Sequence, residues 1–397
     1  MTMDRRSFVA TTAATLAATQ VRMPGAPDPL GVRGDFPITA ERTYLNSAYI
    51  APIPTPVVRA GAEFLENKSR RPLEVGALLG ADGKLRNQFA RLVNATPDEV
   101  GLLFSTAEGE NIIAQGMDLQ AGDNVVVDDL HYPTEFVLYR ELERSLGIEL
   151  RIAKHREGVV DASDFAPLID RRTRIVSVAW VSHLNGFRHD MRPIADLAHA
   201  HGAVFYADAI QAVGMFPIDV QAAGVDAICA GSYKWMLAGW GVAPFYIKRD
   251  VIDRLRIDRY GEFQVEKELP DYHYELGKTA RKFDYCSRAF GPVRELSAAL
   301  TYLEGVGVAR IEEHTVGLAH RLYDGLVRQG HQLFTPPGNR SSIVTLYAAK
   351  PPADIRTAFG AAGVDVTVRD GQIRIAPALF NTADEIDRCL EVTKTLT

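Results

Sequence analysis

An apolar run, Ala203-Val204-Phe205-Tyr206-Ala207, ends on the carboxylate of Asp208, and a second, Asp226-Ala227-Ile228-Cys229-Ala230-Gly231, leads to the amine of Lys234. Short apolar runs bounded by glycine and polar residues, with helical patterns between them, predict parallel strands whose C-terminal ends carry functional groups. Open α/β sheets bind ligands in the crevice outside those ends. An acid and a lysine so placed are the two charges that hold pyridoxal phosphate. The amine condenses with the aldehyde as a Schiff base, and the carboxylate keeps the ring nitrogen protonated, so that the ring accepts electrons from a substrate carbanion. Taken singly, an aspartate at a strand end is more often a cap, and a lysine a surface charge. Lys234, however, is flanked by Tyr233, Trp235 and Met236, an apolar setting for a surface lysine.

The elements that must position these groups follow the same alternation. Val100–Phe104, Asn124–Asp128 and Arg174–Val181 read as strands; Asp82–Val93 and Asp190–Gly202 read as helices, with Asp190 placed to cap its own. The βαβ alternation predicts a right-handed, mostly parallel sheet. Ser105-Thr106-Ala107 turns a strand into a helix on small residues, where free N–H groups and the helix dipole face an anion, so Thr106 and Ala107 are candidate phosphate binders. Two more helices are expected at Pro292–Val306 and Arg310–Gln329, and Thr382-Ala383-Asp384-Glu385 is a capping box opening the last one. Gln372-Ile373-Arg374-Ile375-Ala376-Pro377 alternates, so Arg374 faces opposite to its isoleucine neighbours.

Taken as a set, Asp208-x-x-Gln211, Ser232-Tyr233-Lys234 and the glycine-rich Ala238-Gly239-Trp240-Gly241 resemble the class V aminotransferase family. These are fold-type I pyridoxal-phosphate enzymes and include cysteine desulfurases, kynureninases and isopenicillin N epimerase-like proteins. The resemblance runs from about Tyr44 to the C-terminus. It implies an α/β fold with a large domain on a mostly parallel sheet (residues 41–285) and a small α+β domain (residues 286–397). The N-terminal arm contributes to the small domain, and the active sites lie at a homodimer interface. Tyr233 matches the family's phosphate-binding position, Ser232 offers a further hydroxyl, and Gln211 belongs to the cofactor site. Ala107 stands where the family often has a hydroxyl, and Gly231 where its serine more often falls. Tyr132, before Pro133-Thr134, resembles the kynureninase residue that stacks on the pyridine ring, with His131 as the alternative. His183 falls at the position that reaches the ring hydroxyl, with Asn185 two places on.

At the substrate end the resemblance makes Arg374 the residue that grips an α-carboxylate with two parallel hydrogen bonds. It places Asn46, in Thr43-Tyr44-Leu45-Asn46-Ser47-Ala48, at the active-site mouth. Tyr260-Gly261-Glu262 lies where family members donate backbone to the partner's phosphate, and Ala280-Arg281-Lys282-Phe283-Asp284 resembles the entry to the small domain. The implied activity is of aminotransferase or lyase type at the α-carbon of an amino acid or a similar metabolite, with Lys234 taking the α-proton. An epimerase of the isopenicillin N epimerase type and a non-catalytic binding protein on the same fold are the alternatives. Persulfide-forming desulfurases carry a nucleophilic cysteine on a small-domain loop; Pro336–Ser342 occupies the comparable region without one, and Cys286 has no evident activator.

Composition sets the remaining bounds. At 397 residues, 47% hydrophobic and 24% charged, the chain has room for one large domain and a smaller one. A net charge of −6 with both signs interspersed argues against nucleic acid or an anionic membrane as partner. The three cysteines, Cys229, Cys286 and Cys389, stand far apart, so neither a disulfide framework nor a metal site is expected. Residues 1–25 differ from the rest. Asp4-Arg5-Arg6-Ser7-Phe8-Val9 resembles a twin-arginine export signal, and the uncharged Ala/Thr-rich run from Ser7 to Val21 is too short and polar for a lasting membrane anchor. Recognition by the twin-arginine export machinery, and delivery to the periplasm or beyond with cofactor already inside the fold, is therefore expected; a cytoplasmic protein is the alternative. Residues 26–40, rich in proline and glycine, read as a linker.

Overall fold

The computed structural model describes residues 28–369 and 371–396; the twin-arginine motif lies outside them. Its centre is a seven-stranded sheet in the order Val100–Leu103, Ala243–Ile247, Ala227–Cys229, Val204–Asp208, Thr173–Ala179, Asn124–Asp128, Glu149–Ala153. All neighbouring pairs are parallel except those made by Ala243–Ile247, which runs against both of its neighbours. The middle strands are mainly apolar, as strands covered on both faces are. Phe205 and Ala207 point into one core layer with Val176, Val178 and Ile228. Val204 and Tyr206 point into the other with Ile175, Ala227 and Phe245.

The small domain has its own core. Val344–Tyr347, Gln372–Ile375 and Thr367–Arg369 form an antiparallel sheet, backed by helices Val308–Arg328, Pro352–Ala361 and Ala383–Thr393. The last helix opens with the expected capping box, Thr382 with Glu385. The N-terminal arm joins this domain: Thr43–Tyr44 pairs parallel with Val364–Asp365, and Leu45 enters the small core.

Helix Phe290–Val306, which follows the boundary expected after residue 285, buries Val293, Leu296 and Leu300 in the core shared with the large sheet, and the separate small core draws on the helix after it. Of the expected linker, residues 28–40 form two short 3-10 turns, and Phe36 is fully buried with its ring 4.6 Å from that of Phe380. An aromatic side chain held this way anchors the segment despite its prolines and glycines. Asp190 does precede its helix, Met191–Ala200, but its side chain makes no capping hydrogen bond. No helix among the described residues is long and apolar enough to cross a membrane.

Candidate active site

The sheet brings Asp208 and Lys234 to one end of the molecule, as their strand-end positions predict. Both are buried, at 6% and 7% exposure. Each feels the other's charge, yet no hydrogen bond or ion pair joins them. One Asp208 oxygen accepts from the Ile210 N–H at 2.9 Å. Burial pushes the Asp208 carboxyl up to about 6, and burial lowers the Lys234 amine to about 8 despite the pull of Asp208. A buried cation and anion held apart leave room for a group that bonds to both.

The phosphate end is built by the helix Thr106–Gly116. Its first turn has no side-chain cap, so its leading amides stay open to an anion. Thr106 Oγ1 accepts from the Gly231 N–H at 2.9 Å, which ties this turn to the lysine loop. The approach explains the glycine: a Cβ at residue 231 would lie 3.2 Å from Thr106 Oγ1 and 3.1 Å from the Tyr233 ring. The Tyr233 ring stacks on Trp240, with centroids 5.2 Å apart, and its edge packs near Gly231. The Ser232 hydroxyl donates to the Gly239 carbonyl and is thereby engaged within the loop.

Tyr132 is 44% exposed, with its ring edge-on to that of His183 at 4.9 Å. His183 is buried, its Nδ1 has no hydrogen-bond partner, and burial first, then Arg369, Arg374 and Lys234, lower its pKa to about 2. It is a neutral imidazole with one polar atom unmet. Asn185 does not share this place. Its amide donates to the carbonyls of Gly158 and Phe334, and its oxygen accepts from the Phe187 N–H, so it shapes the loop. Gln211 is likewise engaged, donating to Ala48 O at 2.9 Å and accepting from Trp235 Nε1 at 2.7 Å. It holds the N-terminal arm against the loop that carries Lys234.

Arg374 reaches the site from the small domain. Ile373 and Ile375 fill the small core on one face, while Arg374 on the other donates to the His183 carbonyl at 2.6 Å and to Thr367 Oγ1 at 3.2 Å. Thr367 in turn donates to Asn46 Oδ1 at 2.6 Å, so Asn46 and Arg374 share one chain. Arg374 Nε is buried and unpartnered. Sequence reasoning missed Arg369. Thr367 pairs with Arg374 across the sheet, so Arg369, two residues on, shares that face; it is half-buried and has no hydrogen bond or ion pair among the described residues. The alternation Thr367-Val368-Arg369 was the available signal.

A further cluster also went unread. Behind Asp208, Glu110 and Glu135 lie buried side by side, with Glu110 Oε1 accepting from Tyr139 OH at 2.8 Å and Ser177 Oγ at 2.6 Å. Ser177 faces His131 Nε2 at 3.1 Å, and His131 Nδ1 accepts from the Tyr132 N–H. His131, the alternative stacking residue, is therefore a buried link beneath Tyr132. Among the described residues no group of side chains could hold a metal ion.

The chain belongs to the class V aminotransferase family, whose model matches residues 43–387. A probable cysteine desulfurase of Methanothermobacter thermautotrophicus is 30% identical over 298 residues, 74% of each chain. The cysteine desulfurase of Thermococcus onnurineus has the same fold, with a TM-score of 0.86 at 22% identity over 94% of this chain and 99% of that one. The cystine C–S lyase C-DES, seen with its product cysteine persulfide, superposes with a TM-score of 0.84 at 19% identity over 91% of this chain and 99% of that one. The protein is a pyridoxal-phosphate-dependent enzyme of the lyase and transferase kind that acts on an amino acid. The residues present fit that cofactor: separated Asp208 and Lys234, an uncapped helix turn, and orphaned His183 Nδ1 and Arg374 Nε all await polar partners.

Proposed function

We propose that this enzyme breaks a bond at the α-carbon of its amino-acid substrate by transamination or elimination, with Lys234 as proton carrier and no protein thiol in the cycle. The single observation behind this reading is the state of the cysteines. Cys229 and Cys389 are fully buried, and burial holds the Cys229 thiol well above its ordinary range and lifts Cys389 to about 12. Cys286 is half-buried beside Tyr285, whose backbone packs on Gly261, and it has no hydrogen-bond or ion-pair partner among the described residues. Reactive thiols need the opposite setting.

When bound, pyridoxal phosphate supplies an electron-withdrawing ring that stabilises negative charge at the α-carbon. The chain's own residues do the rest. Lys234, with its amine lowered by burial, releases and takes up a proton near neutral pH. Asp208, still a carboxylate above about pH 6, would hold the proton of the ring nitrogen. Thr106, Ala107 and Tyr233 would hold the phosphate, Tyr132 would pack against the ring, and neutral His183 would be the partner of the ring hydroxyl. Arg374, buttressed by His183 O and by Thr367 with Asn46, orients the substrate carboxylate.

Two further proposals concern assembly and location. The hairpin Val265–Glu268 with Tyr274–Leu276 carries exposed Tyr272 and Tyr274, with Tyr260 nearby and Trp240 exposed over Tyr233, which supports a homodimer closing over the site. Sedimentation at micromolar concentration should give twice the chain mass. Export by the twin-arginine route is supported by Arg5-Arg6 and the run that follows. A reporter fused to residues 1–30 should leave the cytoplasm and should stay when both arginines become lysine. The central reading is tested with Cys286→Ser and L-cysteine as one trial substrate. Unchanged turnover on the best amino acid found, and no sulfur added to the intact mass, are expected; loss of turnover or a protein persulfide would overturn it.

A further inference from the structure

The Glu110–Glu135 cluster is not needed to explain where the cofactor binds, and two buried carboxyls in contact require a reason. Glu110 comes from the helix that starts at the phosphate turn, Glu135 from the helix that starts at Tyr132. Glu110 Oε1 already takes two O–H donors, from Tyr139 and Ser177. Glu110 Oε2 and Glu135 Oε2 receive none from any other side chain or backbone group, and a proton shared between the two glutamates satisfies both. Both oxygens of Glu110 then accept, which makes Glu110 the anion and Glu135 the acid. The surrounding groups leave that charge uncancelled. Tyr139 and Ser177 are neutral donors, and the Tyr206 phenol is buried without a partner. His131 is kept neutral by burial and by His189, and the Cys229 thiol stays protonated. Glu110, Glu135 and Tyr206 all feel the charge of Asp208.

We propose that Glu110 and Glu135 act as a positioning pair, holding one proton and one negative charge behind Asp208 so that the site favours a ring whose nitrogen is protonated. The charge is reached through no contact with the ring; it acts across the buried space shared with Asp208. The same pair is tied through Ser177 and His131 to the backbone of Tyr132, so the group that biases the nitrogen also fixes the side chain over the ring face. This rests on the cofactor and not on which substrate bond is broken.

The test compares binding of pyridoxal phosphate with binding of its analogue carrying C–H in place of the ring nitrogen, by absorbance titration of the apoenzyme. At pH 8.5, above the value of about 7 to which burial lifts Glu110, the wild type should prefer the natural cofactor. Glu110→Gln removes the charge and keeps the shape. The preference should fall about tenfold, the scale of one unit charge acting across roughly 12 Å at an effective dielectric near 20, while affinity for the analogue stays within about twofold. Glu135→Gln does the reverse: its amide donates to Glu110 and leaves the anion in place, so the preference should persist at pH 8.5. At pH 6.5 that variant should retain a preference that the wild type has partly lost. This second comparison stands even if Glu110→Gln fails to fold. Equal loss for both ligands in Glu110→Gln would reduce the pair to packing and overturn the proposal. So would a Glu135→Gln enzyme that tracks the wild type at both pH values.

Discussion

Replacing Glu135 by glutamine should make the stability of the apoprotein less dependent on alkaline pH, by an amount the structure sets. Burial pushes the Glu135 carboxyl up to about 12 from an ordinary 4.5, with the charge of Glu110 adding to the shift. The folded chain therefore carries a proton there that the unfolded chain releases above its ordinary value. Folding takes up one proton, and this contribution to stability falls as pH rises, until the folded group itself titrates. One proton taken up on folding corresponds to a loss of about 3 kcal/mol between pH 7.5 and 9.5. That window lies above the titration of Glu110, at about 7. Lys234 works in the other direction, since it is neutral in the fold above about 8 and charged in the unfolded chain up to an ordinary 10.5, but it does so equally in both proteins. Urea unfolding of wild type and Glu135→Gln across this range should thus give free energies that diverge in favour of the variant by about 3 kcal/mol. Parallel curves would mean that Glu135 is ionised in the fold, and the shared proton would have to be abandoned.

Three other outcomes follow from the same geometry. Asp208→Asn, which cannot hold a proton on the ring nitrogen, should retain cofactor by spectrum but lose on the order of 10²–10³-fold in kcat. Arg374→Lys should raise KM for an α-carboxylate substrate about 30-fold with a smaller change in kcat, because an ammonium cannot make two parallel hydrogen bonds from that position. Gly231→Ala should weaken cofactor binding about tenfold, because its methyl would sit 3.1–3.2 Å from Tyr233 and Thr106 and must push apart the turn that meets the phosphate. An equilibrium titration that showed wild-type affinity would remove Gly231 from the account.

What was legible in the sequence was local in character. Asp208 and Lys234 announce themselves because a charge at the end of a wholly apolar run has few structural reasons to be there. Arg374 is exposed by strict alternation with two isoleucines, and Thr106-Ala107 by small residues between a strand and a helix. The unread part depends on contacts between distant segments. Glu110 on its helix looks like an ordinary solvent-facing acid until Glu135, 25 positions away (135 − 110), closes over it. Gln211 and Asn185 carry the right chemistry for ligand contact, yet backbone carbonyls from remote segments claim their amides. The same holds for the arm: proline and glycine suggested a loose linker, and the pocket that receives Phe36 is made largely by Tyr302 and Phe380, far along the chain.

The central claim is that Lys234 is the amine that holds the cofactor, and one measurement addresses it directly. The purified protein, loaded with pyridoxal phosphate, is reduced with borohydride, digested and mapped by mass spectrometry. The account predicts a phosphopyridoxyl group on the peptide containing Ser232-Tyr233-Lys234, stoichiometric with chain, and its disappearance in Lys234→Ala. A label on any other lysine, or a wild type that takes up no label, would contradict it.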